Sequence, residues 1–196
     1  MEVPGRVLIA PGFIDTHNHT PWNVLRRWQP SRTLKSRFEW RGKTRCGVHV
    51  VPSPDPYYRA AISPVFRGMT DRGNLAKMIL FGQVRGLLGG ATTMVVDADF
   101  APGDPPDPEL AGFVRDPAEW GAGTFGVLDV TCLIALGKDA LRDLRERLQA
   151  GTASLLVHLG EGLDDFSGGE FSTLQGLGLL TARTYLIHAL ALTDAD

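Results

Sequence analysis

Hydrophobic positions along this chain keep two periods, and the changes between them divide it into elements. From Asn74 to Leu88 the residues Leu75, Met78, Ile79, Val84, Leu87 and Leu88 fall near the i, i+3, i+4, i+7 spacing of one helix face, and Gly89-Gly90 ends the run. Lys138 to Ala150 repeats the pattern, with Leu141, Leu144 and Leu148 on one face, DLRER on the other and Gly151 as the stop. A third helix is expected over Glu170 to Leu180, with Ser167 or a nearby glycine at its start. Between them lie short runs rich in β-branched residues: Ala91 to Val96, Phe125 to Ala135, SLLVHL from Ser154 to Leu159, and TYLIH from Thr184 to His188. Arg6 to Ala10 and Leu110 to Val114 are shorter strand candidates. Strands alternating with helices at this spacing predict an α/β fold with a parallel sheet, and a TIM-like (β/α) barrel is its natural closure, here with about six βα units.

One stretch keeps neither period. Pro21 to about Pro64 is rich in proline, arginine and aromatics and is expected to be a long loop, placed to cover whatever the preceding strand carries. Its His49 sits in the apolar run GVHVV and is expected to be structural. The cations and aromatics between Arg27 and Arg45, with Trp28, Phe38 and Trp40 among them, suggest an ordered loop rather than a nucleic-acid surface, because the chain as a whole has a net charge of -2.

At 196 residues, 43% hydrophobic and 21% charged, the chain can bury one substantial core. The cysteines, Cys46 and Cys132, are far apart and outside any CxxC pair, which leaves a disulfide framework and a cysteine zinc cluster unsupported. MEVPGRVLIAPG lacks the charged start and long apolar core of a secretory signal, and no apolar run is long enough to span a bilayer. A cytoplasmic protein with no membrane and no nucleic-acid partner is expected, acting on a small molecule.

Candidate chemistry begins at PGFIDTHNHT, Pro11 to Thr20. Side chains alternate across a strand, so Phe13, Asp15, His17 and His19 should share one face, two imidazoles pointing into one space with a carboxylate beside them to orient or polarise them. A bare HxH is weak evidence and serves packing equally well. A second constellation, His158-Leu-Gly-Glu161, ends the strand SLLVHL. In a parallel barrel, functional groups collect at the C-terminal strand ends, so His158 would face the same mouth as His17 and His19. Three imidazoles with an open position form the ligand set of a catalytic zinc ion, and a carboxylate one short loop away could serve as general acid and base. Alone, Glu161 would pass for a solvated loop residue, and His188, at the end of TYLIH, for one satisfied by a backbone carbonyl. Asp97 and Asp99 follow a strand but adjoin APGDPPDPE, where aspartates are mostly turn formers.

PGFIDTHNH, HLGEG and the histidine closing TYLIH, in this order, resemble the first, fifth and sixth barrel strands of the amidohydrolase superfamily, in its deaminase-like branch, which includes cytosine deaminase-like and chlorohydrolase-like enzymes. The resemblance spans essentially the whole chain. It implies a flanking β remnant over residues 1–10 and a partial barrel domain over residues 11–196. It implies a metal-dependent hydrolase of non-peptide carbon-nitrogen bonds, a deaminase or cyclic amidase of a small heterocycle, with His17, His19 and His158 holding one divalent ion. Zinc is the default, and iron or manganese would also accept imidazole. Glu161 would move the proton, and His188 would contact the substrate or the water.

Two departures bear on these expectations. Relatives with two bridged metals carry a lysine on the strand matching Phe125 to Ala135, and none is present, which favours a single ion. The family's further ligand, an aspartate after the eighth strand, has no candidate before Asp196, and a full barrel of this kind runs to about 250 residues. The chain therefore reads as a C-terminally truncated one, with exposed apolar strand edges and association with another copy or the missing portion as expectations. A non-catalytic fragment that still binds metal is the alternative. Cytidine-deaminase zinc chemistry of the other type needs a PCxxC pair that this chain lacks.

Overall fold

A computed structural model describes residues 10–25, 32–45, 48–96, 114 and 125–194. Most of the strand candidates Arg6 to Ala10 and Leu110 to Val114, and Trp28, Cys46, Asp97 and Asp99, lie outside them.

In chain order, β1 (Phe13–Asn18) leads into a 3₁₀ turn (Thr20–Val24) and then α1 (Arg37–Arg41). A hairpin of β2 (Gly42–Arg45) and β3 (Val48–Pro52) is followed by a π-helical turn (Tyr58–Ile62) running into α2 (Ser63–Met69). The stretch expected as one loop is thus a series of short elements. Each is four or five residues, too short to display a period in the sequence. His49 lies on β3.

The long helix α3 (Arg72–Leu88) begins at Asp71, whose carboxylate accepts from the Asn74 N–H. It returns the chain to β4 (Ala91–Val96), which pairs in parallel with β1. The second half is wound regularly: β5 (Phe125–Asp129), α4 (Val130–Ala135), α5 (Lys138–Gln149), β6 (Ser154–Leu159), α6 (Asp165–Gly176) and β7 (Thr184–His188). Its sheet has the order β5-β6-β7, all parallel.

Two sequence expectations are corrected. Phe125 to Ala135 is not one strand, because after Asp129 the chain coils into α4, which buries Val130 and Leu133, three positions apart, in the core. A short apolar run satisfies either geometry, and period alone does not separate them. The last helix, expected over Glu170 to Leu180 with Ser167 or a nearby glycine at its start, runs from Asp165 to Gly176 with Asp164 as its cap. The Asp164 carboxylate caps the Ser167 N–H at 2.8 Å, and Gly168-Gly169 behind it disguise the helical signal.

Every residue of β6 is buried, as expected for a strand paired on both edges and covered on both faces. Leu155, Val157 and Leu159 join Leu133, Leu141, Leu148, Leu174 and Leu179 in the main core, which therefore belongs to the second half. A smaller cluster under β4 contains Ala91, Met94 and Val114. The fold is mixed α/β with parallel strands. The β1-β4 and β5-β6-β7 sheets are not joined by strand pairing, and the described residues form no closed barrel. Phe13 and Ile14 on β1 are 70% and 67% exposed, and Tyr185 on β7 is half exposed. No helix among the described residues is long and apolar enough to cross a membrane.

Candidate metal centre

The parallel strands bring their C-terminal ends to one place. His17 is the penultimate residue of β1, and His19 stands one residue past the strand, opening the 3₁₀ turn through its carbonyl, which accepts from the Trp22 N–H at 2.9 Å. That turn is pinned from behind by α3. A Cβ at Gly82 would lie 2.4 Å from the Thr20 carbonyl oxygen, so only glycine lets the helix come this close. Arg85, one turn further on, donates to the Asn23 carbonyl. His158 is the fifth residue of β6, opposite Ile187 of β7.

Three imidazoles from positions 141 residues apart meet at their Nε2 atoms: His17 to His19 at 3.0 Å, His19 to His158 at 2.9 Å, and His158 to His17 at 3.1 Å. Hydrogen bonding cannot account for this triangle. A ring nitrogen either carries a proton and donates or is bare and accepts, along one in-plane direction. Around three nitrogens the two roles cannot alternate, so at least one edge sets like against like. What suits three converging lone pairs is an electrophile, and zinc takes imidazole nitrogens at about 2.0–2.1 Å. The donor set fits a divalent ion.

Burial, then the charges of His19, His17, His188 and Arg41, push the His158 pKa down to about 2. The ring is therefore neutral in the physiological range, which is the form that ligates metal.

His188 and Glu161 complete the group. His188 ends β7 beside His158, with ring centroids 5.7 Å apart. Its backbone and that of Ala189 are left-handed, at φ 72° and 54°, a conformation that costs about 1–2 kcal/mol per non-glycine residue. Two hydrogen bonds hold the turn against the neighbouring strand end, Ala189 N–H to the Leu159 carbonyl at 2.8 Å and Leu190 N–H to the Gly160 carbonyl at 3.1 Å. Glu161 presents Oε1 to His188 Nε2 at 3.9 Å and Oε2 to Arg37 Nη1 at 3.5 Å.

All five residues singled out in the sequence thus gather at one strand-end site. Asp15 does not take the role expected of it. Its carboxylate accepts from the His17 backbone N–H and from the Asn18 side chain, at 3.3 and 2.7 Å, and so shapes the strand end instead of orienting a ring. The cause is an irregular register between Asp15 and Asn18, which breaks the simple alternation of faces. Sequence reasoning missed Arg37 and Glu170, a buried ion pair at 2.9 Å behind Glu161. Neither belongs to a motif, and their separation of 133 residues leaves no local signal.

Searches of protein-family models, of curated proteins and of solved structures returned no match to this chain.

Proposed function

We propose that this protein is a metal-dependent hydrolase of carbon-nitrogen bonds other than peptide bonds, a deaminase or cyclic amidase of a small heterocycle, built as part of a (β/α) barrel of the amidohydrolase type. The observation that carries the reading is the triangle of Nε2 atoms at 2.9–3.1 Å, with a carboxylate and a fourth imidazole beside it. His17, His19 and His158 hold one divalent ion, zinc by default. When bound, such an ion acidifies water and polarises the bond under attack.

The protein's own groups supply the rest. Glu161, 18% exposed, keeps enough contact with solvent to exchange protons. It accepts a proton as the water oxygen adds to the carbon, and returns it to the nitrogen as the carbon-nitrogen bond breaks. The water's second proton stays on the new carboxyl group when a cyclic amide opens to an amino acid product, or passes to the ring nitrogen when a heterocycle is deaminated to the carbonyl compound and ammonia. His188, beside Glu161 and His158, donates to the substrate heteroatom where negative charge develops.

The test is turnover of a panel of aminated and cyclic-amide heterocycles by zinc-loaded protein. Hydrolysis should be found, and Glu161→Gln should lower kcat by about 10²–10⁴-fold with metal content unchanged. Full turnover in that variant would remove Glu161 from the chemistry. Metal retention with no turnover across the panel would remove the hydrolase reading and leave a metal-binding domain.

A further inference from the structure

Behind Glu161 lies a polar network that the proposed chemistry does not use. Arg37, the first residue of α1, and Glu170 of α6 have side chains only 2% exposed, and Arg37 Nη2 meets Glu170 Oε1 at 2.9 Å. The other Glu170 oxygen accepts from the Gly160 N–H at 2.7 Å. The second arm of the same guanidinium, Nη1, reaches Glu161 Oε2 at 3.5 Å. One cation thus bridges a buried carboxylate, which is tied to the loop backbone, and the carboxylate proposed to move the proton.

The backbone repeats the connection. Residues 35–37 run along residues 161–163 as a short antiparallel rung: Arg37 N–H to the Glu161 carbonyl at 3.1 Å, Leu163 N–H to the Lys35 carbonyl at 2.7 Å, and a bridge between Ser36 and Gly162. A Cβ at Gly162 would stand 2.7 Å from both the Lys35 oxygen and the Ser36 Cβ, so the two segments touch as closely as backbone permits. The stretch that the sequence marks as a covering loop therefore grips the loop that carries the acid-base residue.

A buried guanidinium is costly unless paired, and Glu170 already provides one carboxylate. The Arg37–Glu161 contact is longer and only partly screened from water, so its value lies in direction. With Oε2 turned to Arg37, Oε1 is turned to His188 at 3.9 Å, and both oxygens of Glu161 have assigned neighbours. We propose that Arg37 is a positioning residue that fixes the orientation of the Glu161 carboxylate, with Glu170 holding Arg37 in place. The inference rests on the hydrolase reading for the task of Glu161, and on the distances above for the geometry.

A double-mutant cycle separates this from a clamp that serves stability alone. Wild type, Arg37→Lys, Glu161→Gln and the double variant are loaded with cobalt(II), and visible spectrum, metal content, melting temperature, kcat and KM are read for each. Arg37→Lys should keep its metal and lower kcat about tenfold to a hundredfold with KM little changed, the size expected of a misplaced group. Its spectrum should move in the direction of Glu161→Gln, and the effect on both kcat and spectrum should vanish when Glu161 is already glutamine. Should Arg37→Lys not fold, Glu170→Gln, which keeps the shape and removes the charge holding Arg37, carries the same expectation. A wild-type spectrum and kcat in the lysine variant, or a loss that adds in full to that of Glu161→Gln, would overturn the inference while leaving the hydrolase reading intact. Failure of the wild type to take up cobalt would overturn both.

Discussion

An imidazole nitrogen offers one lone pair along one direction, and three of them within 3.1 Å of one another form a group that protons cannot satisfy. Protein purified without chelator should therefore carry a divalent ion, and the His17→Ala, His19→Ala double variant should lose most of it. Elemental analysis of the two preparations decides the matter, and equal content would refute the ligand assignment. At this scale legibility depended on chain distance. His17 and His19 stand out as a pair two residues apart at an expected strand end, although only His17 lies on β1 and His19 opens the turn after it, and His158 stands out because it lies near the end of an apolar run. Arg37 had no such signal. Its partners lie 124 and 133 residues away, and a single arginine in an aperiodic stretch looks the same whether it meets solvent or two carboxylates.

At the scale of elements, the long regular pieces could be read and the short ones could not. Period and stop signals located α3 and α5 within about two residues, and α5 buries Leu141 and Leu148 of its expected face, whereas α3 buries Leu75 and Ile79 but leaves Val84, Leu87 and Leu88 exposed. α4 spans six residues and shares its composition with the strand before it, so only the burial of Val130, Cys132 and Leu133 in the core decides its shape. α6 depended on its cap. Burial raises the Asp164 pKa, but the hydrogen bonds it accepts from Ser167 and Ser36 outweigh this and hold the carboxyl below its ordinary value. Because the folded state binds the proton less readily than the unfolded one, the cap stabilises at pH values above the ordinary carboxyl range and its contribution fades as pH falls through the folded value. Asp164→Ala should cost about 1 kcal/mol at neutral pH, by chemical denaturation, and progressively less in acid. A cost that stays constant down to the lowest pH at which the protein folds would count against the cap. Gly82→Ala tests a different contact. Forcing a methyl group against the Thr20 backbone should destabilise the protein by about 1–3 kcal/mol and weaken zinc binding, since His19 immediately precedes Thr20. A melting temperature and zinc affinity like those of the wild type would show that α3 does not hold the site.

For the whole molecule, the alternation of strand and helix foretold parallel pairing, and β5-α4-α5-β6-α6-β7 follows that winding. Closure was beyond the reach of pattern, because the period of a strand says which face it buries and nothing about which neighbour it takes. The two sheets are separate in strand pairing, and the imidazole triangle at the strand ends links them, while the Arg37 network ties α1 to the loop after β6. A metal ion at the triangle would tie β1 to β6 and act as a cross-link available only to the folded chain. Binding confined to the native state stabilises by about 2.7 kcal/mol when free ligand stands at a hundred times its Kd. For a chain of this size each kcal/mol raises Tm by about 2–4 °C, so saturating zinc should lift the melting temperature by about 5–10 °C, reversibly on adding chelator. His158→Ala removes the ligand from the second sheet and leaves His17 and His19 paired on the first. That variant should show little of the rise even if it still binds zinc weakly, because two ligands from one strand end bridge nothing. An equal rise in His158→Ala and wild type would place the ion elsewhere and break the link between the site and the assembly of the two sheets.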